Sequence, residues 1–159
     1  MPGTHSAIIA DTSCLILLVN VGRLEVLQKI YGHIITTPEI AAEFGEAMPV
    51  WIEVRSVADR ARTDALVLRL DRGEASAIAL ALETKGCLVI LDDMKARRVA
   101  NELGLDYTGT LGVVIKAKQE GFISEAAPLL HALREAGLWI TDEVFIQTLH
   151  QCGESATAK

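Results

Sequence analysis

Ala7-Ile8-Ile9-Ala10-Asp11-Thr12-Ser13 is the stretch whose reading decides the fold. Four apolar residues with β-branching at their centre read as a short buried strand, and an acidic residue stands where that strand should end. The apolar run Cys14 to Val19 follows and has the length of a helix rather than of a second strand. A second stretch repeats the arrangement: Cys87 to Leu91 is a buried strand that closes on Asp92 and Asp93. A carboxylate at the carboxyl end of a buried strand lies where open α/β sheets bind their ligands.

The composition suits such a sheet. At 159 residues the chain is long enough for one domain with a substantial core. Half the residues are apolar but only 4% are aromatic, so the core must be built from Ile, Leu, Val and Ala. Parallel sheets covered by helices have that character. No apolar run approaches the roughly 20 residues of a membrane span, and no basic-then-apolar leader opens the sequence. The expected location is therefore the cytoplasm. Cys14, Cys87 and Cys152 are odd in number and form no CxxC pair, which speaks against a disulfide framework or a zinc site. A net charge of −6 argues against a generally basic coat for nucleic acid, yet leaves room for an enzyme acting on it.

Taken in order, helices are expected over 12–20, 23–31, 38–44, 58–70, 73–85, 94–103, 111–120, 125–136 and 143–150. Strands are expected over 7–10, 33–36, 87–91 and 105–107, with 51–57 an edge strand or an extended connection. Pro38 fits the first turn of its helix, where a missing N–H costs nothing. Ser124 is expected to cap the helix after it. Strands alternating with helices give a three-layer α/β/α domain around a central parallel sheet. Residues 1–151 are read as a single domain and 152–159 as a flexible tail.

Acidic residues recur at the same edge of this architecture. Asp11 ends the first strand, and Asp92 and Asp93 end the Cys87 strand. Glu39 and Glu43 lie one turn apart on the helix after the second strand. Glu74 opens the helix that leads to the Cys87 strand. Like charges at close range oppose joint ionisation, so such a cluster calls for a hard cation. Mg²⁺ or Mn²⁺ takes carboxylate oxygens and keeps several waters. One ion or two could serve phosphodiester hydrolysis. Each carboxylate also has a plainer reading: Asp11, Asp92 and Asp93 as helix caps, Glu74 as a first-turn acid favoured by the macrodipole, Glu39 and Glu43 as a solvated face.

Four of these segments, in order, resemble the motifs of the PIN-domain family of metal-dependent nucleases. They are Ile9 to Ser13, Thr37 to Phe44, Gly73 to Ala79 and Leu88 to Asp93. The likeness runs from about residue 7 to 121 and is nearest to a prokaryotic branch with Gly-Glu-Ala and Gly-Thr-Leu-Gly signatures, here Gly73 to Ala75 and Gly109 to Gly112. It implies a PIN-like fold with Asp11, Glu43, Glu74 and Asp93 as catalytic residues. Asp11 and Asp93 would be the primary metal ligands, with Glu43 completing the metal shell and Asp92 a neighbouring candidate ligand. Glu74 stands where the VapC toxins of this family usually have Asp, and Leu91 replaces the usual threonine before the acidic pair. Both departures bear on activity more than on fold. Many relatives, VapC toxins included, are ribonucleases held inactive by an antitoxin protein.

The surrounding residues suggest substrate contacts. Arg97 and Arg98 lie about one turn past Asp93, and one of them could draw in a phosphate. Thr110 at a helix start, like Ser13, could offer a hydroxyl to the strand, and an N-cap is the plainer role for the Thr108-Gly109-Thr110 turn. A Walker loop, a GxGxxG turn and a nucleophile elbow are all missing from the sequence. A dehalogenase-type phosphatase would need an acid where Ser13 stands. The reading is a Mg²⁺- or Mn²⁺-dependent endonuclease on single-stranded RNA, and the resemblance implies the toxin of a toxin–antitoxin pair. Its expected partners are an antitoxin and a second copy docked through apolar helix faces. The alternative is a PIN fold that grips RNA or protein without cutting.

Overall fold

The computed structural model describes residues 4–155. The elements run β1 (Ala7–Ala10), α1 (Thr12–Asn20), α2 (Glu25–Tyr31), β2 (Ile34–Thr36), α3 (Pro38–Phe44), β3 (Ile52–Val54) and α4 (Arg60–Leu66). There follow α5 (Arg72–Leu82), β4 (Cys87–Ile90), α6 (Met94–Glu102), β5 (Asp106–Thr108), α7 (Thr110–Gln119), α8 (Ala127–Glu135) and α9 (Asp142–Gln151). The strands form one all-parallel five-stranded sheet in the order β3-β2-β1-β4-β5. Helices cover it in a three-layer α/β/α arrangement, α5 packing with α3, α4 and α6, and α7 with α2, α8 and α9. Among the described residues no helix is long and apolar enough to cross a membrane.

The strand order fixes where a site can form. The chain lays β2 on one side of β1 and, after β3, returns to lay β4 on the other. The order therefore reverses between β1 and β4, and the helices leaving these strands open a crevice at their carboxyl ends. Register sharpens the point: Ala10 stands beside Ile90, and the Asp11 amide donates to the Ile90 carbonyl at 3.2 Å. Ile9, Ala10, Val89 and Ile90 are fully buried. The two strands are thus held side by side by apolar packing on both faces, and their acidic ends emerge together.

Most expected elements are present, with ends that shift by a few residues. The stretch 51–57 resolves into the short edge strand β3, and 138–141 is irregular. Cys14 and Cys87 are buried in the core.

The C-terminal region differs from expectation. Helix α8 starts at Ala127, and no side chain of its own segment caps it, so Ser124 does not have that role. Glu154 does the work from across the fold. Its carboxylate accepts from the Ala126 and Ala127 amides at 2.6 and 3.1 Å and pairs with Lys118 at 2.8 Å. Cys152, placed by sequence in a loose tail, is buried against the core. Two amides without an intrahelical acceptor at a helix start attract any carboxylate within reach, and the turn after α9 supplies one. Residues 156–159 of the expected tail lie outside the described residues.

Replacing Glu154 with Ala should destabilise the protein by about 1–2 kcal/mol, the usual cost of losing a cap and a partly buried charge-assisted bond. Urea unfolding measures it. A change within error would show that α8 does not depend on this cap.

Candidate functional site

The crevice is built from five helix starts and two strand ends. Asp11 follows β1 and stands at the N-cap position of α1 without bonding back to that helix through its side chain. Asp92 and Asp93 follow β4. Asp93 Oδ2 accepts from the Ala96 amide at 3.0 Å, so it does cap α6 and leaves its other oxygen uncommitted to that bond. Asp92 turns the other way. Its two oxygens accept from the Thr110 amide and hydroxyl at 2.7 and 2.6 Å, which ties the end of β4 to the start of α7.

Two further carboxylates enter from the opposite wall. Glu43 projects from α3, and the Thr12 hydroxyl donates to it at 2.5 Å. Glycine at residue 73 leaves the Glu43 carboxylate its place against α5: a Cβ there would overlap the carboxylate and push it aside. Glu74 follows in the first turn of α5. The α3–α5 contact is pinned by Thr37 and Ser76, whose hydroxyls share a 2.7 Å bond while Ser76 donates to the Gly73 carbonyl at 2.8 Å. Gly109 serves a similar purpose on the far side, since a Cβ there would stand 2.9 Å from Asp92 Oδ1. The glycines of two sequence signatures are therefore places where backbone must come close to a carboxylate.

Charge is concentrated here. Asp11 is only 3% exposed and Glu74 9%. Burial pushes the Asp11 carboxyl up to about 7; the Thr12 amide works against this, and the charges of Asp71, Glu43 and Asp92 add to it. Burial also pushes Glu74 up to about 7, reinforced by Asp71, Asp11 and Asp93. Asp11, Glu43, Glu74, Asp92 and Asp93 thus share one neighbourhood. Asp71 belongs with them. It caps α5 by accepting from the Glu74 amide at 2.9 Å, and its charge acts on both buried acids. Asp71 and Thr12 are the members that sequence reading missed. Asp71 had a signal: an Asp three residues before a Glu at a helix start is a cap signature.

The N-termini of α1, α3, α5, α6 and α7 open at this edge, and their unpaired amides offset part of the negative charge. A hard divalent cation suits the remainder, because every donor is an oxygen and the buried acids lack a basic partner among the groups that shift them. Among the described residues no three His, Cys, Asp or Glu side chains close on one point as a preformed cage would. Mg²⁺ does not require one: it is commonly held by one or two carboxylates and keeps water in its other positions.

The residues expected to touch substrate fall in different settings. Arg98 is exposed on α6. Arg97 lies over the Tyr107 ring, 5.1 Å from its centre, and its buried Nε has no partner among the described residues. Ser13 is half-buried in the first turn of α1. Thr110 is fully buried, with its amide and hydroxyl both given to Asp92. It has nothing left to offer a phosphate and acts as a brace.

The weakened acidity of these buried carboxyls couples folding to pH. A carboxyl whose native pKa exceeds its unfolded value keeps a proton that the unfolded chain has released, so native stability falls as pH rises between the two values. For Asp11, from 3.8 to about 7, the full penalty is about 4 kcal/mol, absent below pH 4 and complete above pH 7. Asp11→Asn should therefore stabilise the metal-free protein by roughly 2–4 kcal/mol at pH 8 and much less at pH 4. Urea unfolding of both proteins across that range checks this; a difference independent of pH would contradict the burial of a charged Asp11.

No curated protein matches the chain. A family model described as PIN domain matches residues 7–154.

Proposed function

Because the chain belongs to the PIN-domain family, a family of nucleases and nucleic-acid-binding proteins, we propose that it is a divalent-metal-dependent endoribonuclease acting on single-stranded RNA. The observation that carries this reading is the pair of buried acids, Asp11 and Glu74, surrounded by further carboxylates at the sheet's switch point. Such an arrangement is costly in the empty protein. It becomes favourable only when positive charge arrives.

Asp11 and Asp93 are assigned the cation, Mg²⁺ or Mn²⁺, from the two sides of the crevice. When bound, that ion supplies positive charge against a phosphodiester and acidifies nearby water. Glu43 and Glu74 orient the attacking water or complete the shell. Thr12 keeps the Glu43 carboxylate in place through its hydroxyl. Asp92 is assigned a supporting role, because both of its oxygens are occupied by Thr110. Arg97 and Arg98 lie on the helix that Asp93 caps, and one of them, Arg98 by its exposure, is assigned the strand's phosphates. The family resemblance further supports a toxin of a toxin–antitoxin pair, restrained by an antitoxin protein in the cytoplasm. A homodimer would use apolar side chains left on helix surfaces, Ile146 of α9 among them.

The test is cleavage of a labelled single-stranded RNA. Activity should require Mg²⁺ or Mn²⁺, vanish with EDTA, and fall at least about a hundredfold in Asp11→Asn, more than the tenfold to hundredfold usual for a supporting residue. Asp92→Asn should fall within that smaller range. RNA binding without metal, and no cleavage with either ion, would identify a non-catalytic binding module instead.

The cation should also show itself without substrate. Carboxylates bind metal in competition with protons, so Mn²⁺ should raise the melting temperature more at pH 8 than at pH 5. Equal shifts at both values would remove the buried acids from the metal site.

A further inference from the structure

Beside the carboxylate cluster lies a cleft of about 280 Å³ between the first turn of α3, the β3–α4 connection, α4 and the start of α5. It adjoins the candidate site through two elements. Glu39 on its wall is one turn before Glu43, and Arg72 is two residues before Glu74. A strand crossing the carboxylates and continuing along α3 and α5 would enter it.

The lining brings two arginines without a carboxylate partner among the described residues into one small space. Arg23, Arg55, Arg62, Arg69 and Arg134 each reach a carboxylate. Arg60 and Arg72 line the cleft together and pair with nothing among the described residues, although Glu39 and Asp64 line it too. Thr63 lies deeper, 4% exposed, and its hydroxyl is buried without a hydrogen-bond partner. A buried hydroxyl left unsatisfied is destabilising, and such a group in a native protein calls for a reason. Pro38 and Val57 supply apolar surface between these polar groups.

We propose that this cleft is a nucleotide subsite: it holds one residue of the bound strand, with a phosphate between Arg60 and Arg72. The ribose lies against Thr63, whose buried hydroxyl gains the partner it lacks by turning toward the cleft about χ1, a torsion that helical threonine shares between two rotamers. The Glu39 and Asp64 carboxylates accept from sugar hydroxyls. Two guanidiniums suit a phosphate because their planar donors match its oxygens. Two carboxylates in the same small space suit hydroxyl donors and reject a bare polyanion. The subsite rests on the nuclease reading for the path of the strand, but its chemistry can be tested separately.

The test is an NMR titration of the metal-free protein with uridine 5′-monophosphate, uridine and inorganic phosphate. The nucleotide should shift the amides of Arg60, Thr63 and Arg72 saturably and bind more tightly than either fragment. Arg60→Ala, at an exposed position, should weaken it about tenfold, as expected for loss of one charge-assisted contact. Thr63→Val should raise the melting temperature while weakening the nucleotide, a combination that a purely structural threonine would not give. Asp11→Asn should leave the affinity unchanged. The subsite is overturned if the nucleotide binds equally well to wild type, Arg60→Ala and Thr63→Val, or if inorganic phosphate alone binds as tightly. Nucleotide bound in the cleft without RNA cleavage would retain the subsite and remove the nuclease. RNA cleavage with no shift at Arg60 or Thr63 would do the reverse.

Discussion

Mutual repulsion among carboxylates at the ends of β1 and β4 is the constraint to which the rest of the fold answers. Asp11 and Glu74 sit at a poorly solvated edge where ionisation is opposed first by burial and then by the charges of neighbouring acids, Asp71 acting on both. Ordinary packing would not collect six acids there. The sheet does so by geometry, because parallel strands present all their carboxyl ends at one side and reversal of the strand order leaves that side open. Surrounding helices then begin where the strands stop. The same edge therefore carries both the acidic side chains and the positive ends of helix dipoles.

Around this charge lies a layer of short polar braces that hold the backbone still. Thr12 holds Glu43, Thr110 holds Asp92, and the Thr37–Ser76 pair locks α3 to α5. The Thr36 hydroxyl, which donates to the Ala10 carbonyl at 2.9 Å, ties β2 to the last residue of β1. The Thr12 brace is exposed, whereas the others are buried or partly so, and a hydroxyl committed in this way does not compete with the ladders. Close approach at Gly73 and Gly109 completes the frame. A site organised this way is stiff before anything binds, and preorganised charge is the usual source of catalytic electrostatics. Its cost is carried by the apolar interior, where Ile9, Leu15, Leu18, Ile78, Ile90 and Leu130 are fully enclosed.

The two walls of the crevice differ in character. On the α6 side, Arg97 is folded onto Tyr107, and Arg98 is exposed on the same helix beyond it. On the α3–α5 side, two arginines and a threonine hydroxyl that have no partner among the described residues share a cleft with two carboxylates. Cations therefore flank an acidic centre on both sides, which is how a negatively charged protein can still receive a polyanion: the field at the site differs from the field of the whole.

The sequence alone determined the elements and their alternation. Short apolar strands at 7–10 and 87–91, Pro38 at a helix start and glycines after most helices are local signals, and local signals are what periodicity and caps record. It also identified Asp11, Glu43, Glu74 and the Asp92–Asp93 pair as acids at element ends. Tertiary structure decided which of these acids meet, which turn away, and what holds them. Asp92 and Asp93 are adjacent in sequence yet face different partners, because one closes a turn across to α7 and the other caps its own helix. The role of Glu154 in capping α8 and the cleft lined by Arg60, Thr63 and Arg72 have no sequence signature at all. The physical reason is range: backbone preference acts over a few neighbours, whereas hydrogen bonds, burial and charge act between whatever the fold brings close.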